Sequence, residues 1–247
     1  MLLLKMFTRR WLLATLFVLA GTALCIRLGI WQLDRLDQRR AFNAHYTSTR
    51  AMPWLDLNAE FSGDLTGMEW RSVQVTGEYD LENQIALRNQ SYRDQYGYHL
   101  LTPLLFNGTA VLVDRGFIPA DGNSTPADWR KYDEPGIVTV KGQIRLGQAK
   151  PAFGGVADAL PENGARLEVW NNADLAQVAL QMPYPILPVF VQPDVEEDDT
   201  EFPIPYQPTI ELTEGSHFGY ALQWFTFAAI LFAGYPFFLR KQEETSK

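Results

Sequence analysis

The sequence has one cysteine, Cys25, in 247 residues, and only three histidines, His45, His99 and His217. A lone cysteine excludes an internal disulfide, a CxxC redox pair and a thiolate copper carrier. Three scattered histidines leave a multi-histidine metal site to be assembled from distant segments. There is no phosphate-cradling P-loop, no GxGxxG, no HExxH and no GxSxG elbow, so the expectation is that the protein is not an enzyme. Positive charge is scarce in the middle: between Leu28 and His217 there are 14 Lys and Arg against 27 Asp and Glu. Such a region repels phosphate, and no basic patch with interleaved aromatics offsets it, which argues against nucleic acid as a partner. The acidic run Glu196, Glu197, Asp198 and Asp199 lacks the glycine turn and spaced ligands of a calcium loop and reads as a solvated loop.

What is present is two long apolar runs. Phe218 to Leu239 is 22 residues without a charge, followed at once by Arg240 and Lys241. At ~1.5 Å rise per residue this crosses a bilayer's hydrocarbon layer. The first run extends from Trp11 to Trp31, interrupted by Arg27, and follows Lys5, Arg9 and Arg10. Basic residues at both outer ends place both termini in the cytoplasm. The expected fold class is a membrane protein in which N- and C-terminal transmembrane helices flank one extracytoplasmic β-rich α+β domain. Its divisions are a cytoplasmic N-terminus (1–10), transmembrane helix 1 (11–31), the domain with an N-terminal helical stem (32–216), transmembrane helix 2 (218–239) and a cytoplasmic tail (240–247). The plasma (inner) membrane is the expected location and the lipid bilayer a partner. A signal peptide is the rival reading of the first run, because Gly21, Thr22 and Ala23 tolerate cleavage. Apolar character continuing past them favours an uncleaved anchor. Gly21, Cys25 and Gly29 form a small-residue stripe along which a second helix can pack, the natural partner being Phe218–Leu239.

From Gly29 to Arg50 there is no proline, and Leu33, Leu36 and Ala41 recur at near-helical spacing, predicting a stem that continues outward. After Met52-Pro53 the pattern becomes β-rich, with strands predicted at Arg71–Gly77, Gln84–Asn89, Tyr98–Phe106, Ala110–Phe117, Ile137–Arg145 and Ile186–Gln192. Asn107-Gly108 predicts a tight hairpin turn. Ala173–Met182, capped by Asn172, is the predicted internal helix. Pro119–Pro135, Lys150–Arg166 and Pro193–Pro208 read as loops.

His217 heads the second apolar run, with Tyr220 and Trp224 one and two turns deeper on the same face. A titratable ring at a membrane boundary is either a ligand or an interfacial hydrogen-bond donor. Gln32 and Arg35 fall on the side of Gly21, Cys25 and Gly29 and are expected to face the second helix near His217. Arg35 divides between a partner for an anionic ligand and an interfacial cation. Trp31 and Gln32 divide between interface anchoring and packing on the second helix. Arg115-Gly116 reads as a strand-ending turn or an exposed docking corner. His45 reads as a solvated stem position and His99 as a surface or satisfied core residue.

Four stretches in order carry a resemblance. LGIWQLDRL at Leu28–Leu36, GYHLLTPL at Gly97–Leu104, VLVDRGFIP at Val111–Pro119 and HFGYALQWF at His217–Phe225 resemble the surfeit locus protein 1 family of cytochrome c oxidase assembly factors, in a bacterial-type member. Phe117 stands where many members have tryptophan, and the Lys150–Arg166 loop is distinctive. The resemblance implies a membrane-bound chaperone of respiratory-chain biogenesis that acts on oxidase subunit I beside other assembly factors and assists haem a insertion. It also implies that His217 is the haem iron's axial ligand. The macrocycle would then lie against Tyr220, Trp224 and the Gly21 and Gly29 stripe, with Arg35, and less favourably Arg27, holding the propionates. A haem-independent scaffold for an oxidase intermediate and a membrane-tethered periplasmic binding module are the alternatives.

Overall fold

The computed structural model describes residues 6–59, 63–150, 155–161, 164–196 and 200–245. Two compact units are present, Tyr46–Ile210 and a unit made from both ends of the chain, Met1–His45 with Glu211–Lys247. Lys5 and three residues of the acidic run, Glu197, Asp198 and Asp199, lie outside the described residues.

The terminal unit is built on α1 (Leu12–Arg50) and α4 (His217–Thr245). Both are long and apolar enough to cross a membrane. The stem is therefore continuous with the first apolar run, as its lack of proline predicts. The helices run antiparallel: Trp11 meets Phe238 edge to face at 6.2 Å, Thr15 Oγ1 lies 2.7 Å from Tyr235 Oη, and Gln32 meets His217. The seam on α1 has coiled-coil spacing, with Thr15, Thr22, Cys25, Gly29 and Leu36 buried. On α4, Ala221, Ala228 and Leu239 are buried. The small-residue stripe does admit the second helix. A β-carbon on Gly29 would stand 2.7 Å from the Phe225 ring, and one on Gly21 would stand 3.5 Å from Leu231 Cδ1.

The central unit is a small barrel. Its strands are β1 (Leu55–Asp56), β2 (Ser72–Tyr79), β3 (Ile85–Tyr92), β4 (Gln95–Phe106), β5 (Thr109–Pro119), β6 (Ile137–Leu146), β7 (Val169–Trp170) and β8 (Ile186–Pro193). Neighbours run β2-β6-β8-β5-β4, and β4 returns to β2 through Glu78↔Leu105 and Tyr79↔Leu104, closing a ring of five strands. Only β5–β8 is parallel within that ring. β4 is long enough to leave the ring: its C-terminal half pairs with β2, and its N-terminal half carries β3, which carries β7. The barrel interior is filled by Val73, Val75, Leu104, Val113, Ile144 and Val191. A second apolar layer, Ile85, Leu101, Leu112, Trp170 and Val178, lies on the other face of β5. Burial on both faces explains why β5 reads as a continuous apolar run rather than an alternation.

All six predicted strands are present, and Asn107 and Gly108 both take positive φ (46° and 76°) in the β4–β5 hairpin. Three expectations need correction. The internal helix, α3, is only Leu175–Ala179, and its cap is Asp174, whose carboxylate accepts from Gln177 N; Asn172 instead donates to Asp158. The Pro119–Pro135 segment is not plain loop. It contains α2 (Pro126–Trp129), with a Thr125–Asp128 capping box and a fully buried Trp129 whose indole N–H donates to Asn123 O at 2.9 Å. The Arg115-Gly116 expectation is the third.

Arg115-Gly116 neither ends a strand nor is exposed. β5 runs on to Pro119, and the register jumps from Leu100↔Gly116 to Leu101↔Asp114, so Arg115 is the extra residue of a β-bulge. Gly116 has φ +115°, and the position of its missing β-carbon is taken by the backbone of Ile204 and Pro205. That segment straps across β5 through Phe117 N to Ile204 O (2.8 Å) and Ile204 N to Phe117 O (2.9 Å). Arg115 is 7% exposed; it donates to Tyr132 O, packs over the Tyr79 ring at 5.1 Å and reaches Glu134 at 3.8 Å. A guanidinium buried this way supports the barrel wall and is not a docking corner. Burial depresses its pKa from the ordinary arginine value, against the pull of Tyr79 and Glu134. Beside it, His99 Nδ1 lies 3.0 Å from Asp114 Oδ2, both buried, so His99 is a satisfied core residue. Phe117 is fully buried, its ring packed on Tyr92 and Phe202.

Candidate functional site

The site of interest is the head of α4. The chain enters it through Glu211–Ser216, a segment fastened to α1 by three polar side chains. Arg39 donates from Nε to Thr213 O at 3.0 Å and from Nη2 to Glu211 O. Arg40 grips the Glu214 carboxylate with two bonds of 2.8 and 2.9 Å, and Asn43 reaches Thr213 O at 3.4 Å. Sequence reasoning missed these residues. A pair of arginines on an outward stem reads as solvated surface unless the returning segment is known to lie beside it.

Gly215 then turns with φ +68°, and His217 begins the helix. The His217 ring is half-buried; its Nδ1 lies 2.8 Å from Gln32 Oε1 on α1, and among the described residues Nε2 has no protein partner. The sequence expectation that Gln32 meets the second helix near His217 therefore agrees with the geometry. Arg35 does not meet it. Its guanidinium is exposed, donates to Gln38 Oε1 at 3.0 Å and packs over the Trp31 ring at 5.6 Å, all along its own helix. Trp31 likewise points away from α4, at 42% exposure. Leu36, at 3%, takes the place on the seam that Arg35 was expected to share.

On α4 the residue one turn in from His217 on the seam is Ala221, while Tyr220 stays 49% exposed and Trp224 is half-buried against Phe227 at 5.9 Å. His217 and Trp224 are thus half-buried, while Tyr220, on the same face by helical spacing, stands exposed. The expected resting place of a macrocycle, the Gly21 and Gly29 stripe, is also corrected, since the Phe225 ring and Leu231 fill it. Deeper along the pair, a shallow apolar groove of about 480 Å³ is lined by residues that include Leu19, Ile26, Phe225 and Phe232. Among the described residues no three of His, Cys, Asp and Glu gather as a metal site, so His217 stands as a single nitrogen donor.

The chain matches the model of the SURF1 family over residues 19–229. Among curated relatives, it is 25% identical over 242 residues to a SURF1-like protein of Caenorhabditis briggsae, covering 89% of this chain and 73% of that one. A SURF1-like protein of Rickettsia felis is 24% identical, covering 91% of this chain and 96% of its own. Surfeit locus protein 1 of Takifugu rubripes is 24% identical, covering 86% and 91%. The matched region takes in the barrel, most of α1 with Gln32, and the head of α4 with His217, and on that extent of agreement the chain belongs to the SURF1 family.

Proposed function

We propose that this protein is a membrane-anchored assembly factor for haem-copper cytochrome c oxidase that holds haem a as cargo for insertion into subunit I. The observation that carries this reading is the His217 imidazole. It stands at the head of an apolar helix, in one of the four stretches that carry the family resemblance, with one ring nitrogen engaged and the other, among the described residues, without a protein partner.

Membrane insertion is supported by the outward faces of the helix pair. Phe17 is 78% exposed and Phe237 72%, with Leu13, Phe218, Ile230 and Phe232 also exposed, a surface suited to lipid and not to water. Because the helices are antiparallel, Arg9 and Arg10 lie at the same end of the pair as Arg240 and Lys241, the arrangement expected of a cytoplasmic end. In this reading His217 and the stem are at the extracytoplasmic edge, and the central domain is extracytoplasmic.

The donor chemistry fits a haem ligand, since an accessible imidazole nitrogen at an apolar boundary is what haem iron takes from histidine. The Gly21 and Gly29 stripe does not fit a macrocycle. The apolar ring would instead lie against the outward side chains at the head of α4, Phe218 and Tyr220, with Trp224 deeper; Arg35, which packs along its own helix, is not retained as the partner of the propionates. When bound, haem a supplies the redox iron that the oxidase later uses. Of this chain's residues, His217 would ligate that iron, and Phe218, Tyr220 and Trp224 would shield the ring from water.

The test is an absorption spectrum of the detergent-purified protein, produced where haem a is made, beside its His217→Ala variant at matched folding. Haem bands lost in the variant alone support ligation. If neither protein carries haem and titration with haem a does not saturate, the haem reading is wrong and the scaffold reading takes its place.

A further inference from the structure

We propose that Gln32 is the positioning residue of the His217 site, holding the imidazole in the Nδ1–H tautomer so that Nε2 presents its lone pair to the iron. The proposal rests on the haem-ligation reading above, but the structural claim about the ring is independent of it.

A neutral imidazole carries its proton on one nitrogen only, and the nitrogen that is not protonated is the one that can ligate. Gln32 offers Oε1 to Nδ1 at 2.8 Å, and because an amide oxygen only accepts, this contact is a hydrogen bond only in the tautomer that carries the proton on Nδ1. Histidine ligands to metals are commonly held this way, the outer partner fixing both tautomer and ring orientation and raising the basicity of the ligating nitrogen. Gln32 is itself well placed to hold a fixed angle. It lies on the rigid α1 seam, between the buried Gly29 and Leu36, and is half-buried.

At the other edge of the ring, Nε2 has no hydrogen-bonding partner among the described residues. Gly215 lies alongside it: a β-carbon there would stand 3.4 Å from His217 Cδ2 and 3.6 Å from Nε2, ordinary contact distances, so it is φ +68° rather than lack of room that favours glycine. Arg39, Arg40 and Asn43 pin the segment that leads into this turn. The head of α4 is thus a ring gripped at Nδ1 from α1 and left open at Nε2, with the approach to it fastened. A histidine that served only to join two helices would need the first of these features and not the second.

The experiment uses the full-length protein in detergent, with ¹⁵N-labelled histidine, as wild type, Gln32→Leu and Gln32→Glu at matched circular dichroism and melting. Nitrogen NMR of the haem-free protein reads the His217 tautomer. Titration with haem a reads affinity, and the bound spectrum reads ligand strength. The expected result is a protonated Nδ1 in wild type, loss of that preference in Gln32→Leu, and haem a binding weakened about 10- to 100-fold in Gln32→Leu. Gln32→Glu should retain binding with a lowered iron reduction potential, because a carboxylate makes the imidazole a stronger donor. A wild-type ring protonated on Nε2, or an Nδ1–H tautomer that persists in Gln32→Leu, overturns the proposal. So does a tautomer change that leaves haem a affinity within about twofold. If wild type itself binds no haem a, the haem function falls, while the tautomer measurement still decides whether Gln32 sets the ring.

Discussion

Gly116→Ala tests the strap that closes over the β5 bulge. At φ +115° an L side chain is strained by about 1–3 kcal/mol. The new methyl would also stand 2.6 Å from Pro205 N and fall onto the Ile204 carbonyl, which are backbone atoms and cannot swing aside. Relief requires lifting the strap, which removes the two hydrogen bonds between Phe117 and Ile204, at about 1 kcal/mol each. Together these predict destabilisation of about 3–5 kcal/mol, a melting midpoint lower by at least about 6 °C in a domain of this size. Gly122→Ala is the control. It also has positive φ, +68°, but no atom stands within 4 Å of the added carbon, so about 1–2 kcal/mol is expected from conformation alone. The assay is thermal and urea unfolding of the full-length protein in detergent, followed by tryptophan fluorescence, since Trp129 and Trp170 are fully buried in the central domain. A Gly116→Ala protein within about 0.5 kcal/mol of wild type, or no less stable than Gly122→Ala, refutes the reasoning.

Two further outcomes follow from other contacts. Gly29→Ala pushes a methyl into the Phe225 ring and should cost roughly 1–3 kcal/mol by overpacking; in a Phe225→Ala background the same change should cost less, and equal costs in both backgrounds would dismiss the contact. The Asp158 carboxylate is pushed up by burial but held below the usual carboxylate range by the stronger opposing effect of N–H donors from Asn171 and Asn172. Its contribution to stability is then full above the unfolded value of about 4 and is lost as pH falls through the lower folded value. Asp158→Asn should flatten the acid limb of a stability–pH curve, and an unchanged limb would show that the clasp is not formed.

The strands were legible because alternation and turn residues are local. Ring closure was not, since it depends on β4 being long enough to serve β3 with one half and β2 with the other. The two-residue strands Leu55–Asp56 and Val169–Trp170 are too short to carry a period. Asp114-Arg115-Gly116 resembles turn chemistry in sequence; only the Ile204 strap on one side and Tyr79 on the other reveal a buried bulge. At the candidate site, helical spacing placed Gln32 on the side of His217. It failed for Arg35, because the seam follows positions 29 and 36 and turns its neighbour outward. The inference about the glycine stripe was right for helix packing and wrong for a ligand, for the same physical reason: a groove that accepts a phenylalanine ring has no room left for a second guest.

Closure of the barrel also limits how anything binds the central domain. Within the ring every strand is paired on both sides over part or all of its length, and β1 and β7, two residues each, offer almost no backbone to a newcomer. The longer margin of β3 beyond Leu87 is broken by a register shift and by Asn89 at φ 62°. Among the described residues a partner therefore has no flat edge on which to lay a strand of its own. Recognition on this domain must pass through side chains and connecting loops, which makes it a matter of surface chemistry rather than of shared hydrogen-bond ladders, and protects the domain from stacking on copies of itself.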